Sequence, residues 1–80
     1  MEFVKGLVVR SCAGHDKGDF FVVLEVDADM ALICDGNRRD LVRPKRKKCI
    51  HLSPTKTVIP NHLMKTNREI YENLQRFCCK

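Results

Sequence analysis

Eighty residues, 44% of them hydrophobic and 31% charged, suffice for one small domain and exclude a multidomain enzyme. The formal net charge is +5, but it is unevenly spread: residues 1–37 carry three basic against seven acidic side chains, net −4, whereas residues 38–80 carry twelve against three, net +9. A positive field gathered on one half of a small domain attracts phosphate backbones through counterion release, or an acidic surface through Coulomb attraction.

No apolar run approaches the roughly 20 residues of a membrane span, and Met1–Arg10 sets an acid and a lysine among its apolar residues. Neither a transmembrane segment nor a signal peptide is expected, and the expected location is cytoplasmic. Five cysteines, an odd number with no C-x-x-C spacing, do not form the pattern of a secreted disulfide framework, so reduced thiols are expected.

In chain order, Leu7-Val8-Val9 after Gly6 reads as a first strand, Phe20–Val26, a β-branched and aromatic run, as a second and the apolar Met30–Cys34 as a third. Ala13–Asp19 joins the first two, with Gly14 and Gly18 available where the chain must turn sharply. Asp27-Ala28-Asp29 makes the next turn. Asp35-Gly36 is a strong hairpin signal, which makes Arg38–Val42 the expected returning strand. After Pro44 and the run Lys45-Arg46-Lys47-Lys48, the alternation in Cys49-Ile50-His51-Leu52 suggests a short fifth strand, with Ser53–Thr57 as a connection. Pro60 opens a brief helical turn through Met64.

The period then changes. Thr66-Asn67-Arg68-Glu69 fits a capping box, and Ile70, Leu74, Phe77 and Cys78 fall on one face of a helix from about Asn67 to residue 79. Five short strands with tight turns must hide their edges, so the expected fold is mainly β: a small five-stranded barrel over about residues 3–53, with the helix packed against it. The whole chain, 1–80, is expected to be one domain.

The run from Gly6 to Val26, G-L-V-V-R-S-C-A-G-H-D-K-G-D-F-F-V-V-L-E-V, resembles a KOW motif: an apolar strand, a G-x-x-K-G turn and a second apolar strand, met at Gly6, Val8, Gly14, Lys17 and Gly18. The later segments D-G-N-R-R-D-L-V-R-P-K-R-K-K-C-I-H-L and T-N-R-E-I are similar to short bacterial KOW-containing RNA-binding proteins, relatives of the single-KOW archaeal and eukaryotic large-subunit ribosomal proteins. The turn is a shortened version of the family's, with His15 and Phe20 or Phe21 at positions where small or basic residues are common. The resemblance implies an SH3-like barrel, RNA binding (often ribosomal RNA), association with the ribosome or translation, and no catalysis.

The chemistry of the chain agrees with that implication. Between Arg38 and Lys48 stand seven cations, Arg38, Arg39, Arg43, Lys45, Arg46, Lys47 and Lys48, against one acid, Asp40. Arginine's planar fork grips a phosphate through two hydrogen bonds and lysine acts as a flexible point charge, so the mixed run suits an irregular RNA backbone. Shielding an edge strand from aggregation would need only one or two of them. Lys17 in its glycine-flanked turn is equally an ordinary loop lysine or a contact, and the KOW resemblance assigns it, with Gly14 and Gly18, to RNA.

Of Phe20 and Phe21, neighbours that point to opposite faces, one is expected in the core and the other under the helix. Cys12, Cys34, Cys49, His51, Cys78 and Cys79 lack the paired spacing of a zinc site, so no metal and no cofactor are expected. No nucleophile elbow or P-loop is present and His15, His51 and His62 are scattered, so no enzyme and no small-molecule substrate are expected either. RNA, ribosomal RNA first, is the expected partner, with ribosomal proteins as possible neighbours and no membrane. The alternative function is a protein-interaction module of a transcription- or translation-associated complex, using the acids near Asp27 and Asp29 or the helix.

Overall fold

The computed structural model describes residues 3–78, with nothing stated of the Cys78 side chain. Leu7–Ser11 (β1), Phe20–Asp27 (β2), Met30–Cys34 (β3), Lys45–Lys48 (β4) and Leu52–Val58 (β5) form one antiparallel sheet in the order β4-β3-β2-β1-β5. Short 3-10 turns lie at Cys49–His51 and Asn61–Leu63, and Asn67–Cys78 forms helix α1.

The apolar runs of β1 and β2 lack polar alternation because both faces of the central strands are covered. Leu7, Val9, Phe21, Val23, Ala31, Ile33 and Leu52 meet on the inner face. Val8, Val22 and Cys34 point the other way, onto Ile59, Met64, Ile70 and Leu74. Phe21 belongs to the first layer, while Phe20 turns toward the helix and meets the Phe77 ring edge-on at 5.0 Å. The capping box closes as expected: the Glu69 amide donates to Thr66 Oγ1 (3.1 Å) and the Thr66 amide to Glu69 Oε1 (3.2 Å). The 3-10 turn begins directly after Pro60.

Three expectations fail. Arg38–Val42 is not a strand, because its donors are bound locally. Asp35 Oδ1 accepts from the Asn37 and Arg39 amides (2.9 Å each), Asp40 Oδ1 from those of Val42 and Arg43 (3.0 and 2.8 Å), and Asn67 Oδ1 from that of Leu41 (2.7 Å). The strand that returns along β3 is instead the lysine run itself, with Ala31 opposite Lys47 and Ile33 opposite Lys45. Cys49–His51 is likewise a turn, and the expected connection Ser53–Thr57 is the body of β5, so the sheet extends to Val58 rather than ending near residue 53. Neither strand could be found from composition, since lysine and proline both disfavour strands when read locally.

The sheet is open, with β4 and β5 as its edges. It is nonetheless strongly curled. Across a flat sheet the outer strands would stand roughly 19 Å apart at about 4.8 Å per strand, yet only the three-residue turn Cys49–His51 separates them in the chain. Two register shifts, between Val23 and Glu25 on β2 and between Leu7 and Val9 on β1, bend the ladder as bulges do.

The tight β2–β3 connection stores strain. Asp27 pairs with Met30, so two residues make the turn, and Ala28 takes φ 55°. Left-handed backbone costs an L-residue with a Cβ about 1–2 kcal/mol. Ala28→Gly is therefore expected to stabilise the protein by about 0.5–1 kcal/mol after allowing for the freer unfolded chain. A higher urea midpoint with unchanged slope checks this, and a lower midpoint would contradict it.

Candidate nucleic-acid interface

The β1–β2 loop and the basic run lie far apart in the chain and meet through one carboxylate. Lys45 and Lys47 alternate onto the inner face of β4, and both ammonium groups end on Asp16, at 2.8 and 2.5 Å. Lys47 Nζ also donates to Ser11 Oγ (2.8 Å) and to the Ala13 carbonyl (2.6 Å), so three acceptors match its three donors. Ser11 is fully buried and donates in turn to Asp16 Oδ1 (2.8 Å). Burial by itself raises a carboxyl's pKa. Here it is outweighed by hydrogen bonds from Lys45, Lys47 and Ser11 and by the Lys47 charge, which hold Asp16 far below the usual carboxylate range.

This network shapes the loop. Gly14 and Gly18 both sit at positive φ, 84° and 93°. The turn closes through Lys17 N to the Gly14 carbonyl (3.2 Å), Gly18 N to the Ser11 carbonyl (2.8 Å) and Asp19 N to the Asp16 carbonyl (2.9 Å). Lys17 is left exposed on its crest. A pocket of about 120 Å³ joins the segments, with His15 and Asp16 on the loop side and Arg38, Arg39 and Lys45 on the other.

The seven expected cations therefore divide. Lys47, 8% exposed, is a core residue in an internal network, and Lys45 is partly committed to the same carboxylate. Arg46 and Lys48 point to the opposite face of β4, where Arg46 shares a shallow depression with Glu25 and Asp27. Arg38, Arg39 and Arg43 are exposed in the loop before β4, and none of them forms an ion pair among the described residues. Arg10, overlooked in the sequence, lies beside Gly18: a Cβ there would stand 3.9 Å from Arg10 Nη2. Asp16 and Ser11 were also overlooked. The only local hint was the period-two placing of Lys45 and Lys47, and nothing nearby in the chain names their partner.

Among the described residues no group of three or more His, Cys, Asp or Glu is placed to hold a metal ion. Cys12 is exposed and Cys34 buried, and burial, with the Asp35 charge beside it, pushes the Cys34 thiol up to about 12. Cys79 lies outside the described residues. Among the described residues no helix is long and apolar enough to cross a membrane. No protein-family model matches the chain, and no curated protein matches it.

Proposed function

We propose that the protein is a non-catalytic, cytoplasmic RNA-binding module of the KOW type, its curled sheet an SH3-like barrel, acting on structured RNA of the ribosome or the translation machinery. The observation that carries this reading is the Asp16 junction. It brings the G-x-x-K-G turn and the basic segment onto one surface, while Lys17, Arg38, Arg39 and Arg43 stay exposed and form no ion pair among the described residues. Arginines on a loop can follow a phosphate backbone, whose contacts position the protein without reading sequence.

Four phosphate contacts imply that log affinity falls against log salt with a slope of about −3. Changing Arg38, Arg39 and Arg43 together to glutamine is expected to reduce that slope to about −1 and to leave the melting temperature nearly unchanged. Replacing Lys45–Lys48 as a block is a poorer test, because Lys47 and Lys45 also hold the fold. An unchanged slope in the arginine variant would remove this surface from the interface. Retention by a protein partner after nuclease treatment, with no binding to RNA, would favour the protein-interaction alternative.

A further inference from the structure

Beside the cationic surface lies a cleft of about 560 Å³ between the β1–β2 loop, the turn after β3 and α1. Its base includes Phe20 and Leu74, and its walls carry Tyr71, Asp19, Asp35 and Arg38. Leu74 is 3% exposed and Phe20 is braced by Phe77, so the base is fixed, whereas Tyr71 lines the cleft with 40% of its surface exposed.

The walls are held in place before any ligand arrives. Gly36, at φ 77°, packs so closely on α1 that a Cβ would meet the Asn67 carbonyl and lie 2.9 Å from the Tyr71 amide. Asp35 pins the backbone of Asn37 and Arg39, and the Asp19 carbonyl accepts from the Ser11 amide at 2.9 Å. Such preorganisation lowers the ordering cost of binding.

The chemistry of the walls selects the ligand. Two carboxylates repel a phosphate and can only accept hydrogen bonds, so the complement is a flat group that donates. Asp35 already accepts two amides, whereas the exposed Asp19 carboxylate makes no hydrogen bond or ion pair among the described residues. Guanine carries two adjacent donors on its pairing edge, N1–H and the N2 amino group, and these match one carboxylate as a guanidinium fork does. Unstacked bases of single-stranded RNA are commonly held by an aromatic ring and read on that edge.

We propose that this cleft holds an unstacked guanine base, stacked on Tyr71, with N1–H and the N2 amino group donating to Asp19 and the adjoining phosphate on Arg38. The assignment rests on the RNA reading above. The source is RNA rather than a free guanine nucleotide, because Arg39 and Lys17 extend the cationic surface beyond Arg38 for flanking phosphates.

Tyr71 is the protein's one tyrosine and there is no tryptophan, so intrinsic fluorescence reports on this wall alone. The test titrates the protein with a single-stranded oligouridine carrying one central guanine, with the same strand carrying adenine, cytosine or uracil there, with its duplex, and with GMP. The guanine strand is expected to quench Tyr71 and to bind at least tenfold more tightly than the others. Tyr71→Ala is expected to weaken it by about five- to 150-fold, the range for losing one stacking aromatic, while Tyr71→Phe keeps most of the affinity. Asp19→Asn is expected to abolish the guanine preference, although removing a negative charge would by itself strengthen RNA binding. Salt-sensitive binding of every strand without quenching or guanine preference would overturn the cleft assignment and leave the RNA reading standing. Equal quenching by all four bases would overturn guanine as the ligand. Quenching by GMP without RNA binding would overturn RNA as the source, and no binding of any RNA would overturn the RNA reading itself.

Discussion

Replacing Ile70 with alanine is expected to destabilise the protein by about 4 kcal/mol, the largest effect of any single side chain on α1. Ile70 is fully buried, the first turn of the helix placing it among Val8, Val22, Cys34 and Leu74 on the outer face of the sheet. Large-to-small substitutions at such sites lose 2–5 kcal/mol through transfer and cavity terms together. A domain with some 5–15 kcal/mol of total stability keeps little after such a loss. Phe77 is larger but only half-buried at the end of the stripe, resting edge-on against Phe20, so Phe77→Ala is expected to cost less than Ile70→Ala. Urea denaturation of both variants checks the order. Equal stabilities of Ile70→Ala and the wild type would mean that α1 is not docked on the sheet.

The second large effect is expected at Asp16. Substituting asparagine leaves the Lys47 ammonium, 8% exposed, without its carboxylate. Removing one partner of a buried pair typically costs 3–5 kcal/mol, because the remaining charge is left uncompensated. Asp16→Asn is therefore expected to lose about 3 kcal/mol at pH 7, whereas the double variant Asp16→Asn with Lys47→Met is expected to lose less, since it buries no stranded charge. The loss also depends on pH. The Asp16 carboxyl titrates lower in the folded protein than its unfolded value near 3.9. Its contribution is thus fully present above about pH 4 and fades as pH falls toward the folded value, so wild type and Asp16→Asn converge in stability in acid. A gap between the two that stays constant from pH 7 down to pH 2 would rule out this linkage.

The same carboxylate explains why charge patterning alone gave an incomplete interface. Along the chain the acids sit in the first half and the cations in the second, so every cation between Arg38 and Lys48 reads as free. Antiparallel pairing folds one half against the other, and Asp16 takes up Lys45 and Lys47. Of the cations that remain exposed in the loop, Arg38, Arg39 and Arg43, two have their own backbone amides held by a neighbouring carboxylate, Arg39 by Asp35 and Arg43 by Asp40.

For several local signals the sequence by itself determined the structure, although the Asp35-Gly36 hairpin signal did not return Arg38–Val42 as a strand. The apolar runs of β1 to β3, the capping box at Thr66 and Glu69, and the Ile70–Leu74 stripe all depend on neighbours within a few residues, and each forms where it was expected. Only the tertiary structure decided the rest. Lys45–Lys48 becomes a strand because β3 supplies a ladder and Asp16 pairs with two of its cations, an arrangement that no intrinsic preference of lysine foretells. Leu52–Val58 becomes a strand because β1 lies beside it. The cleft between Tyr71 and Asp19 exists only because Gly36 lets its turn settle on α1, bringing together side chains 52 positions apart. Contacts of that separation depend on how whole elements pack, and the chain's local preferences carry no record of them.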